Sequence, residues 1–135
     1  MLVEHARSLA GIRDARHAEY GTGGTAVITP LECSLQEQEI TVELTPGSLL
    51  AQLYGSTRAA ERTTCDYGLA PAMQHLASDH GMQVAAIDDT GEVRAVERPG
   101  HRFFIGTLYR PQLRSAPNRP HPVFVGFLSA AATAR

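Results

Sequence analysis

Apolar positions recur along this chain in short blocks that alternate between helical and strand-like spacing. Leu2, Val3, Ala6, Leu9 and Ala10 fall on one helical face, and Gly11 supplies a stop. Residues 20–25 are rich in glycine and threonine and read as a loop. Residues 26–28 and 39–44 read as strands, the second placing Ile40, Val42 and Leu44 on one face. After a Thr45-Pro46-Gly47 turn, Ser48 is placed to cap a brief helix that ends at Gly55. Residues 61–69 read as mixed and extended. Pro71 opens a further helix with Met73, Leu76 and Ala77 inward and Gly81 beyond its end. Residues 82–87 and 92–96 flank an Asp-Thr-Gly turn and predict a hairpin. Residues 103–109 form a nearly continuous apolar run, the pattern of a strand covered on both faces. A loop rich in proline and arginine follows, and residues 122–134 predict a closing helix. The order of elements is that of an α/β fold.

Length and composition narrow this. At 135 residues, with 43% hydrophobic and 19% charged, residues 1–135 suit one domain around one core. No apolar run approaches a membrane span and no signal segment opens the chain, so the expected compartment is the cytoplasm. Cys33 and Cys65 are isolated, without zinc or disulfide spacing, and read as small buried hydrophobes. His75 and His80 are five apart, the wrong interval for two ligands on one helical face, and His101 reads as a turn cap; no metal and no cofactor are expected. His5 and His17 show no partner in the sequence.

Charge adds one asymmetry. All twelve basic residues are arginine, which removes Schiff-base and Walker-type lysine chemistry. Residues 1–97 carry −8 and residues 98–135 carry +6. Such a split serves an anionic ligand or partner, or draws two halves of a domain together. The overall charge of −2 speaks against a nucleic-acid binder.

The tail is the most informative stretch. Residues 100–112, Gly-His-Arg-Phe-Phe-Ile-Gly-Thr-Leu-Tyr-Arg-Pro-Gln, followed by Pro120-His121-Pro122-Val123-Phe124-Val125-Gly126-Phe127, resemble the end of CTP synthase. There a strand runs into an F-H-P-E-like motif, an arginine-rich loop, P-H-P-L-F-x-G and a last helix. Glu4-His5-Ala6-Arg7 with Gly11 resembles the E-x-A-R-N-x-x-G helix of that family, and Pro46 to Gly55 its G-x-x-x-x-x-x-Y-G segment. Glu61-Arg62 with Tyr67 and Pro71 resembles its E-R-H-R-H-R-Y-E-x-N-P strand. The four blocks keep their order over residues 1–128. The chain thus resembles the C-terminal portion of a CTP-synthase-type class I glutamine amidotransferase domain. The group described as CTP synthase C-terminal-region-related (seleno)proteins is the more similar. The resemblance implies an incomplete flavodoxin-like sheet with flanking helices, its N-terminal β-α units missing.

It also implies what has changed. The family's nucleophilic cysteine, in a G-x-C-x-G-x-Q turn, falls ahead of Met1. The triad histidine falls on Arg110, which has no lone pair to accept a proton, and the triad glutamate on Gln112. In the glutamine-holding strand Arg62 and Tyr67 are kept, while Asp66 replaces an arginine. The expectation is a degenerate module, not a glutaminase as it stands. It would bind a partner chain, as a homo-oligomer or with a chain supplying the missing N-terminal half, or a small carboxylate or phosphate held by Arg110, Tyr109, Arg62, Tyr67 and Asp66. Two alternatives are an enzyme of another reaction class using the remodelled pocket, and a truncated product of a longer (seleno)protein gene.

Overall fold

The computed structural model describes residues 1–32 and 34–133. The expectation for Cys33, and the last residue of the closing helix, lie outside them. Helix α1 (Leu2–Ser8) ends before Gly11, whose φ of +74° breaks the helical path. Strands β1 (Arg16–His17), β2 (Ala26–Pro30), β3 (Gln38–Leu44), β4 (Arg58–Thr63), β5 (Tyr67–Leu69), β6 (Gln83–Asp88), β7 (Val93–Glu97) and β8 (Ile105–Thr107) surround helices α2 (Leu49–Tyr54) and α3 (Pro122–Ala132). They form a three-stranded sheet ordered β1-β2-β5 and a five-stranded antiparallel sheet ordered β4-β3-β6-β7-β8. The fold is α/β, with a partial antiparallel sheet flanked by helices.

Local signals place most of these elements. In β3, Ile40, Val42 and Leu44 alternate buried against exposed neighbours, as a strand covered on one face requires. Ser48 Oγ accepts from the Ala51 N–H at 3.0 Å. Gly55 closes α2 in the left-handed region and returns its N–H to the Ala51 carbonyl. The preceding two amides of α2 are capped from across the fold: Glu97 of β7 accepts from Leu49 N at 2.9 Å and Leu50 N at 3.1 Å. The β6–β7 turn is organised by Asp88 Oδ1, which accepts from Thr90 N, Thr90 Oγ1 and Glu92 N.

Two cores result. One joins α1 to β2, β5 and β7 through Leu2, Ala6, Val27, Leu69 and Val96. The other packs α2 and α3 on the five-stranded sheet through Val42, Leu44, Leu50, Ala86 and Val123.

Two expectations are refined and one is corrected. The extended run 61–69 is two strands in different sheets, β4 and β5. The helix expected from Pro71 is present as a 3-10 helix, Pro71–Ala77, with Leu76 and Ala77 buried. The run 103–109 is neither a long strand nor a central one. Only Ile105–Thr107 pair, half-buried, at the edge of the five-stranded sheet beside β7. Its apolar side chains are used elsewhere: Phe103 packs edge-on against Phe127 of α3, and Tyr109 turns into the second core.

Candidate functional site

Strand β8 hands the chain to Tyr109 and Arg110, and there it crosses towards β4. The Arg110 N–H donates to the Arg62 carbonyl at 2.8 Å, so these two arginines do become neighbours through their backbones. Both side chains are exposed, as is that of Gln112. Tyr67 lies on β5 in the other sheet, its ring 4.8 Å from that of His17. Asp66 does not neutralise Arg110. Its carboxylate accepts from Ser34 Oγ at 2.5 Å and Gln36 Nε2 at 2.6 Å, and these bonds hold its pKa below the ordinary value. Cys65 is half-buried, not fully so, with Sγ 3.5 Å from the Tyr67 carbonyl.

Tyr109 is 3% exposed, and its hydroxyl faces inward. It belongs to a buried polar network that sequence reasoning did not assemble. Tyr54 at the end of α2 donates to Glu61 Oε1 of β4 at 2.7 Å. His121, ahead of α3, contacts the same oxygen through Nε2 at 2.9 Å, and Tyr109 reaches the Tyr54 hydroxyl at 3.1 Å. His121 Nδ1 accepts the Val123 N–H at 3.2 Å, so Nδ1 carries no proton and Nε2–H is the donor to Glu61. The Tyr54 proton goes to the closer acceptor, Glu61 Oε1, which leaves Tyr109 to donate to the Tyr54 oxygen. Burial pushes the pKa of both phenols up, so each stays protonated at neutral pH. The sequence signal for this network was present in Tyr54-Gly55, Glu61-Arg62 and Pro120-His121-Pro122. Only the approach of α2, β4 and α3 shows that their polar atoms meet.

Two further buried groups shape the molecule. Asp88 Oδ2 accepts from Arg94 Nε at 2.6 Å, with both side chains about 95% hidden (relative exposures 5% and 4%). His5 of α1 is buried; desolvation, with the nearby His80 and Arg98, pushes its pKa down.

An apolar cavity of about 390 Å³ opens where the start of α1 meets β8 and β5. Met1 lies against Gly106, where an added Cβ would collide with Met1 Cε. Cys65, Tyr67, His17 and Thr107 bring the only polar atoms among its described side chains. Among the described residues no group of three or more His, Cys, Asp or Glu is arranged to hold a metal ion. No helix among them is long and apolar enough to cross a membrane.

No protein-family profile matches the chain. A CTP synthase of Methylobacterium nodulans is 34% identical over 149 residues, covering 96% of this chain and 28% of that protein. A CTP synthase of Caldivirga maquilingensis is 36% identical over 141 residues, covering 96% of this chain and 26% of that protein. The chain therefore spans about a quarter of the length of the curated relatives it matches. Among solved structures, the glutaminase domain of Trypanosoma brucei CTPS with bound acivicin superposes with a TM-score of 0.90 at 26% identity. That match covers 99% of this chain and 56% of the other. A putative GMP synthase component from Thermoplasma acidophilum, at TM-score 0.57 and 10% identity, shares the fold over 78% of the chain. Over nearly its whole length, this chain is homologous to part of the glutaminase domain of CTP synthases.

Proposed function

We propose that the chain is a CTP-synthase-like glutamine amidotransferase module without glutaminase activity, working by binding rather than by hydrolysis. The reading rests on the sequence resemblance, which puts Arg110 and Gln112 at the positions of the family's base and its orienter. A guanidinium has no lone pair for a proton, and a carboxamide cannot balance an imidazolium. This argument does not depend on where the nucleophile lies, because a thiol supplied from any source still lacks its base. Among the described residues, the His–carboxylate contact nearest Tyr109 is His121–Glu61, buried, with the imidazole held as a cap for α3.

Two surfaces support such binding. The outer edge of β8 pairs with no other strand among the described residues, and the 390 Å³ apolar cavity lies beside it. Such an edge favours an extended segment of another polypeptide, which supports a partner chain or a second copy. Arg62 and Arg110, adjacent through their backbones, support a small carboxylate or phosphate ligand. Ammonia release from glutamine by the purified protein is expected to equal the buffer blank. A measurable turnover that disappears on Arg110→Ala or Gln112→Ala would overturn the assignment of those two positions.

A further inference from the structure

The arginine-rich loop after β8 encloses more than the end of that strand. Between it and the paired strands β3 and β4 lies an open cleft of about 510 Å³, a size suited to a small ligand. Arg62, Arg114 and Arg119 line it, together with Glu37 and Glu39. Glu39 stands across from Arg62 in the strand register, yet its carboxylate is bound to Arg114 at 2.6 Å. Among the described residues, Arg62 and Arg119 take part in no ion pair. With Arg114 and Glu39 cancelling, the cleft presents two unpaired guanidiniums against the single carboxylate of Glu37.

The loop that carries Arg119 is braced. Ala116 and Arg119 exchange both backbone hydrogen bonds, at 3.1 and 3.0 Å, and Ser115 Oγ accepts the His121 N–H at 3.1 Å. A braced donor loses less freedom on binding than one on a loose loop. A second cavity of about 280 Å³ shares Arg114 and Arg119 and is walled by Tyr54, Glu61 and His121. Glu61 is 2% exposed, and its Oε2 has no hydrogen-bond partner in the protein, while Oε1 carries two. A buried carboxylate oxygen without a donor is costly, and a ligand N–H or O–H would relieve it.

We infer that this cleft is a binding site for a small carboxylate or phosphate that also carries an amine or hydroxyl. Arg62 and Arg119 grip the anion in their planar forks, and the donor end points towards Glu61. The inference rests on the reading of the chain as a binding module, and it moves the ligand from the end of β8 to the other side of Arg62.

The test is an NMR titration that follows the arginine Nε–H resonances, with inorganic phosphate, succinate and phosphoethanolamine as probes. Arg62 and Arg119 are expected to shift together. Phosphoethanolamine should bind more tightly than phosphate, because only its ammonium extends a donor beyond the gripped anion towards Glu61. Arg119→Gln should weaken binding by about tenfold or more, the effect of losing one charged hydrogen bond. Arg58→Gln, outside the cleft on the same strand, should leave it unchanged. Whichever of phosphate and succinate binds more tightly identifies the anion. If Arg110→Ala abolishes binding and Arg119→Gln does not, the ligand sits at the end of β8 and the cleft is refuted, while the binding module stands. Equal affinity for phosphate and phosphoethanolamine refutes the role of Glu61. No saturable shift with any probe refutes the site, whatever the ammonia assay shows.

Discussion

Replacing Asp88 by Asn is expected to be among the most damaging single changes of one polar atom in this molecule. Asp88 Oδ2 receives Arg94 Nε at 2.6 Å, while Oδ1 receives Thr90 N, Thr90 Oγ1 and Glu92 N at 3.0, 2.6 and 3.0 Å. In Asp88→Asn the Oδ1 contacts survive, but an NH2 group faces the Arg94 donor. The guanidinium, 4% exposed, is left as a buried charge with its partner gone. Breaking such a pair from one side typically costs about 3–5 kcal/mol, against a total of roughly 5–15 kcal/mol for an ordinary domain. Urea unfolding followed by far-UV circular dichroism should show the midpoint falling by roughly 2 M, given the usual slopes. Asp88→Asn/Arg94→Met should recover part of the loss, because no lone charge then remains. Acid gives a second readout. Burial pushes the Asp88 pKa up, but the Thr90 and Arg94 hydrogen bonds and the Arg94 charge outweigh it and hold the pKa below the ordinary carboxylate value. A depressed pKa contributes stability above the unfolded value, about 3.9, and loses it as pH falls through the folded value. The gap between wild type and Asp88→Asn should therefore hold from pH 7 to about 5 and close below about 4. A variant within about 1 kcal/mol of wild type at pH 7, or a gap unchanged at pH 3, would refute the reasoning.

Two other predictions concern the frame of the site. Glu97→Ala removes both long-range caps of α2, leaving the Leu49 and Leu50 amides unpaired; thermal and urea unfolding should report a loss of about 2 kcal/mol, whereas an unchanged midpoint would mean that Ser48 alone suffices. Light scattering at micromolar concentration should show a dimer or larger species, because β8 has an unpaired edge and α3 exposes Phe127 and Leu128; a stable monomer would show that these surfaces need no cover.

Where a residue's role is set by its neighbours in the chain, the sequence alone determined it. Ser48 and Gly55 bracket α2 because a cap and a left-handed stop act within one helical turn. Ile40, Val42 and Leu44 share a face because strand geometry alternates regardless of context. The order of motifs likewise carried the likeness to CTP synthase, since motif order is a property of the sequence. Tertiary structure decided everything that depends on what lies across the fold. The apolar run 103–109 looked like a central strand, yet packing on α3 and the inward turn of Tyr109 leave only three residues of it in the sheet. Glu61, an acid in a strand with no helical or turn signal, gained its meaning from Tyr54 and His121, which are 7 and 60 residues away in sequence. Asp66 lay near Arg110 by analogy, but Ser34 and Gln36 took its oxygens first. Hydrogen bonds act over about 3 Å in space, and separation along the chain does not predict which distant groups come that close.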